Sequence, residues 1–229
     1  GRGLSRRALL ACAGGLTLPA AATGWAGASV SSPVSPDLWV RLRQQGTAQD
    51  PTARARLDDL AALAGQSHLW PVPQRVWAVH RFINTRIAFA TDNDRHGQPD
   101  HWASPLDTLV AGQGDCEDYA VAKYFILRAC GIEAPTLRLV YARLQGPSGA
   151  PHMVLAWQAD RHAVVRILDN LDDGWPPLTR RPDLHAVFSF NALGLWQGLG
   201  DHSLGDPFVR LPAWSAVWTR AAQEGFVGP

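Results

Sequence analysis

The sequence predicts an α+β fold: an N-terminal helical lobe, then an antiparallel sheet, with a cysteine at the N-terminus of the helix between them. Three observations predict it. From Asp37 to Ile87 apolar residues recur at three- and four-residue spacings. From Thr136 to Asp169 the pattern changes to short apolar runs separated by Gly-Pro-Ser-Gly and Gln-Ala-Asp-Arg turns. Between the two, Gly112-Gln113-Gly114-Asp115-Cys116 delivers a cysteine to a helix-forming run that ends near Gly131.

Residues 1–28 read as an export signal. Ser5-Arg6-Arg7 form a basic head, Ala8 to Ala22 an apolar stretch, and cleavage fits best after Ala26 or Ala28, so the cargo is expected in the periplasm or outside the cell. The arginine pair resembles a twin-arginine signal, with an ordinary secretory signal as the alternative. Leu9-Leu10-Ala11-Cys12 is a poor lipoprotein site, because the apolar run before Cys12 is too short. Residues 29–36, rich in Ser and Pro, form a linker, and residues 37–229 have the length of a single domain. After the signal no stretch is apolar enough to span a membrane.

At 46% hydrophobic and 18% charged the composition is that of an ordinary globular domain. The formal charge of +1 becomes slightly acidic once Arg2, Arg6 and Arg7 leave with the signal, which argues against a nucleic-acid partner. Only Cys116 and Cys130 lie beyond the signal, so an exported chain of this kind has no disulfide framework. Cys130 is expected in the core, and a continuous helix forbids its pairing with Cys116.

In chain order, the spacing predicts helices over Asp37 to Gln45, Thr52 to Ala64 and Gln74 to Ile87, the last introduced by Pro71 and Pro73. Thr91 to His101 is expected as a polar loop. Its Asp92, Asn93, Asp94 and Asp100 around Gly97 offer oxygens to calcium, or form a solvated turn; EF-hand spacing is absent. The cysteine helix is expected to be amphipathic. Strands follow at Thr136 to Leu144, His152 to Trp157 and Ala163 to Asp169, with Val187 to Phe190 as one more short strand and a tail that carries Trp196, Trp214 and Trp218.

Cys116 is the candidate nucleophile, with structural burial as the alternative. Two glycines let the backbone turn and approach a substrate closely, and the unpaired N–H groups of a first helical turn favour a thiolate. Asp115, Glu117 and Asp118 oppose this by raising the thiol pKa, so the site calls for a counter-charge, and a metal ion is one candidate. A thiol nucleophile needs a base and a group to orient it. His152 opens the second strand and Asp169 closes the third, and adjacent antiparallel strands bring those ends together.

Trp102-Ala103-Ser104-Pro105-Leu106, Gly112 to Tyr124, His152-Met153-Val154-Leu155, Ile167 to Leu171, Ser189-Phe190-Asn191 and Gly194-Leu195-Trp196 together resemble the bacterial transglutaminase-like cysteine peptidases, in particular the LapG-type. The resemblance implies a papain-like fold of the transglutaminase type, a Cys116-His152-Asp169 triad, and calcium held by Asp115 and Glu117 with Asp118 in the same role. It implies a periplasmic endopeptidase that cuts a large biofilm adhesin near its N-terminus at paired alanines. An inner-membrane receptor that senses cyclic di-GMP is the implied partner. Trp102 and Gln113 are candidates, beside the Cys116 N–H, to bind the oxyanion. His80 stands where the family pattern has Asn, and Thr91 to His101 departs from it in length and polarity. An acyltransferase with the same triad, or a binding module that kept only the fold, are the alternative functions.

Overall fold

The computed structural model describes residues 37–46, 50–97, 100–146 and 149–227. The expected signal and linker lie outside the described residues.

The helical lobe forms as the spacing predicts. Helices α1 (Asp37–Gly46), α2 (Pro51–Ser67) and α3 (Val72–Arg86) bury Leu38, Leu42, Leu57, Leu60, Val76, Val79 and Ile83. Asp50 caps α2 by accepting from the Thr52 N–H, and prolines occupy the first turns of α2 and α3. Strand β1 (Ala88–Phe89) follows, then α4 (Asp92–His96). The Thr91–His101 segment is therefore not all loop. Thr91 caps α4 through its hydroxyl, and Gly97, at φ 62°, ends it. Helix α5 (Pro105–Ala111), capped by Ser104, was not expected; strand β2 (Gln113–Gly114) pairs in parallel with β1.

Helix α6 (Cys116–Ala129) is the centre of the molecule. It is not amphipathic as expected: every residue from Asp118 to Leu127 is buried, because α3 and α5 cover one side and the sheet the other. It stops in a Schellman arrangement, with Gly131 at φ 80°, its N–H on the Arg128 carbonyl and the Ile132 N–H on the Leu127 carbonyl. Cys130 is free and buried there, as expected.

The sheet contains β3 (Leu137–Leu144), β4 (Pro151–Trp157), β5 (Arg166–Leu168), β6 (Leu184–Asn191), β7 (Gly194–Gln197) and β8 (Ser203–Gly205). Its order is β5-β4-β3-β6-β7-β8 and every pairing is antiparallel. The two-residue alternation of strands divides the core. Leu137, Leu139, Met153, Leu155 and Leu168 join the α6 cluster, while Val140, Val154, Ala156 and Ile167 form a smaller cluster on the other face.

The tail is structured, as α7 (Pro207–Arg210) and α8 (Pro212–Glu224). Trp214 of α8 is fully buried, with its ring 5.5 Å from Tyr124, 5.6 Å from Phe125 and 5.3 Å from Phe190. Trp214→Ala is expected to cost about 3–5 kcal/mol of stability. Urea unfolding checks this through a lower midpoint at an unchanged slope.

Among the described residues no helix is long and apolar enough to cross a membrane.

Candidate active site

The approach to Cys116 is set by backbone packing. The Ala88 and Ala90 N–H groups bond the Gly112 and Gly114 carbonyls at 2.9 Å, fixing the two residues of β2. Beneath the turn lies Arg56 of α2, which donates to the Arg86, Leu109 and Val110 carbonyls and so gathers the ends of α3 and α5. A Cβ on Gly112 would sit 2.2 Å from the Arg56 guanidinium, and one on Gly114 would sit 2.7 Å from Asp118. Gly112, at φ 65°, takes a left-handed conformation that favours glycine, and Gly114 packs directly on the Asp118 side chain.

Cys116 is the first residue of α6 and half-buried. Its thiol lies 3.0 Å from Glu117 Oε2, and the Met153 backbone N–H donates to it. Met153 follows His152 on β4. Burial, followed by the charge of Glu117, pushes the thiol well above its ordinary range.

Asp92 lies at the centre of an acidic cluster. Its carboxylate is grouped with Asp100 and Glu117, and again with Asp115 and Asp118, with ligand atoms within 4.8 Å of one another in each group. Burial and the charge of Asp115 push Glu117 up to about 8. Burial, with Asp115 and Asp92 adding, takes Asp118 to about 7, and burial with Asp92 raises Asp115. Asp92 Oδ1 and Asp115 Oδ1 are buried with no hydrogen-bond partner. Crowded carboxylates with orphaned oxygens fit a hard cation with oxygen ligands. Asp118 is the least available of them, since Ala103 N–H holds one oxygen at 2.7 Å and Arg95 the other at 2.9 Å. Asp94 takes no part and bonds Thr91 instead.

His152, near the start of β4, pairs in register with Ala142, and Asp169 directly follows β5. His152 Nε2 lies 2.8 Å from Asp169 Oδ1, with both side chains buried. The same carboxylate accepts from the Leu171 N–H at 3.0 Å and from Arg181 at 2.7 Å. Burial alone would raise Asp169, but these donors outweigh it and hold the group well below the usual carboxylate range. Trp102 stacks on Phe190, and its indole N–H is donated to Asp100 at 3.1 Å; Gln113 is exposed on β2.

Sequence reasoning missed Arg181, and it missed Lys123 and Arg56. Lys123 is fully buried on α6, where burial lowers its pKa to about 7 despite Asp169 nearby, and it donates to the Leu168 carbonyl. His80, the departure noted in α3, is buried and lies 2.7 Å from the Gly174 carbonyl, so it braces the loop after Asp169.

A buried helix that carries a cysteine at its N-terminus against an antiparallel sheet is the transglutaminase-like, papain-like architecture of thiol enzymes. The profile of the bacterial transglutaminase-like cysteine proteinases matches residues 59–181, and the chain belongs to that family. It is similar to the solved structure of LapG from Legionella pneumophila at 32% identity and TM-score 0.69, covering 80% of this chain and 96% of that one. The EGTA-treated and calcium-bound forms of that LapG match at 32% identity with TM-scores of 0.71 and 0.68, each over 80% of this chain and over 96% and 98% of theirs. A comparison with curated proteins gives no significant match. As a cysteine proteinase of this family, the chain acts on a protein substrate.

Proposed function

We propose that the chain is a periplasmic, calcium-dependent cysteine endopeptidase that cuts a large surface adhesin near its N-terminus, at paired alanines, and so controls attachment in a biofilm. One observation carries this: the Cys116 thiol at the head of a buried helix lies at the backbone of Met153, beside a buried His152–Asp169 pair. Likeness to LapG over nearly all of that chain supports the substrate class. It also supports an inner-membrane, cyclic-di-GMP-sensing receptor as the partner that sequesters the enzyme. The Arg6-Arg7 signal-like segment supports export.

In this reading Asp169 engages Nε2 of His152, which leaves Nδ1 as the base for the Cys116 proton. The thiolate attacks the scissile carbonyl, and His152, now charged, is stabilised by Asp169. The first N–H groups of α6 have no intrahelical acceptor, so the Cys116 N–H is available to the oxyanion, with the exposed Gln113 side chain as a second donor. The Trp102 indole reaches that role only by leaving Asp100. His152 then protonates the departing amine, and water hydrolyses the thioester. Asp92, Asp115 and Glu117, with Asp100 and Asp118 beside them, would hold calcium, which when bound supplies positive charge next to the thiol.

The test is cleavage of an N-terminal fragment of a large adhesin from the same cell, carrying its paired alanines, with calcium or EGTA and with Cys116→Ala. Cutting at the alanines by the wild type with calcium alone is the expected result. Transfer of the fragment to an added amine would assign an acyltransferase. An enzyme that reacts with iodoacetamide at Cys116 yet leaves the fragment whole rejects the adhesin, and an inert Cys116 leaves a binding module.

A further inference from the structure

Asp169 is gripped from several sides. Its Oδ1 takes His152 and the Leu171 N–H, and its Oδ2 takes Arg181 Nη1 at 2.7 Å. The other edge of the same guanidinium is occupied as well. Arg181 Nε donates to Asp183 Oδ1 at 2.9 Å, and Nη2 donates to Asp183 Oδ2 at 2.7 Å. Arg181 is only 8% exposed, whereas the Asp183 side chain is 43% exposed. From α3, Asn84 donates to the Asp169 backbone carbonyl at 2.9 Å and to Asp173 at 3.3 Å. From α6, the buried Lys123 reaches the Leu168 carbonyl at 3.3 Å.

We propose that Arg181, locked by Asp183, is a positioning residue that fixes the Asp169 carboxylate plane and through it the His152 ring. The proposal rests on the reading of Cys116, His152 and Asp169 as the triad. A carboxylate held by one partner turns easily about its terminal torsion, which is broad and two-fold. Arg181 on Oδ2 and the Leu171 N–H on Oδ1 stop that rotation, so one oxygen stays committed to His152. A guanidinium suits the task because its rigid fork bonds two carboxylates along two edges, while an ammonium is a point charge. Because Arg181 is shared with Asp183, the two carboxylates and the guanidinium together keep one negative charge, and Asp169 both aims the imidazole and stabilises its charged form. Arg180-Arg181-Pro182-Asp183 shows only a proline-broken turn in the sequence; the function appears when that turn folds over β5.

The experiment measures the rate of Cys116 alkylation by iodoacetamide at neutral pH, located by mass spectrometry. It uses the full chain, with and without calcium, so no natural substrate is needed. Arg181→Gln should slow the reaction about tenfold, and Arg181→Lys should recover part of the loss. Added to His152→Ala, Arg181→Gln should cause no further loss, because the arginine acts through the histidine. Asp183→Asn, at a half-exposed side chain, keeps the fold and should slow the reaction about threefold, again only when His152 is present. Arg181→Gln and Asp183→Asn at the wild-type rate would overturn the proposal. So would equal losses with and without His152, which mark a general folding defect. His152→Ala at the wild-type rate is a different result: it removes the triad reading, and this inference with it.

Discussion

His152→Ala is expected to lower kcat/KM by on the order of 10⁴-fold, almost entirely in kcat. The loss is large because burial and Glu117 hold the Cys116 thiol neutral, so without a base little nucleophile forms. Asp169→Ala should lose a comparable factor and differ in stability. It removes the acceptor of Arg181 Nη1 and of the Leu171 N–H, leaving Arg181 paired with Asp183 alone, and should cost roughly 1–3 kcal/mol, as buried donors left unsatisfied do. His152→Ala leaves Asp169 held by Arg181 and the Leu171 N–H, and should cost less. Paired measurements of kcat/KM and urea unfolding separate the two, and a His152→Ala enzyme within tenfold of wild type would reject His152 as the base.

Calcium removal should lower the melting temperature, and by more at pH 8 than at pH 5. In the cation-free chain Glu117 lies near 8 and Asp118 near 7, and Asp115 is raised, all chiefly by burial. Unfolded, these carboxyls titrate at about 4. Between the two values the folded chain binds more protons than the unfolded one, so its stability falls as pH rises through that window. The penalty is absent below about pH 4 and complete above about pH 8. A cation among the carboxylates offsets it. At about 100 times its Kd, calcium would add about 2.7 kcal/mol, which is roughly 5–10 °C for a chain of this size. Calorimetry with calcium or EGTA at the two pH values reads it directly. A melting temperature indifferent to chelation at both would remove the metal from this cluster.

What the sequence made legible was what is encoded locally. Cys116 and Gly131 mark the two ends of α6 through the chemistry of helix termini, and the turns between Thr136 and Asp169 space β3, β4 and β5, so His152 and Asp169 could be paired before any coordinates. Helix α4 was hidden because five polar residues held by Thr91 and Gly97 have the composition of a loop; yet this turn brings Asp92 to the acidic cluster. Helix α8 has Trp214, Val217 and Ala221 at helical spacing, but its partners on α6 lie far back in the chain. Arg56, Lys123 and Arg181 escaped for a related reason. Each is a charged residue taken inside by acceptors distant in sequence, and no local pattern announces such a pairing.

Hydrogen bonds from α8 hold the segment that leads into α5, and through it the head of α6. Arg220 donates to the Trp102 carbonyl, and Glu224 accepts from the Leu106 N–H. Between those anchors lies Ala103, whose N–H holds Asp118 two residues from Cys116. Helix α8 thus completes a brace around the first residues of α6. A chain cut before Pro212 would keep Cys116, His152 and Asp169 but lose those hydrogen bonds, and Asp118 and the head of α6 would be held less firmly.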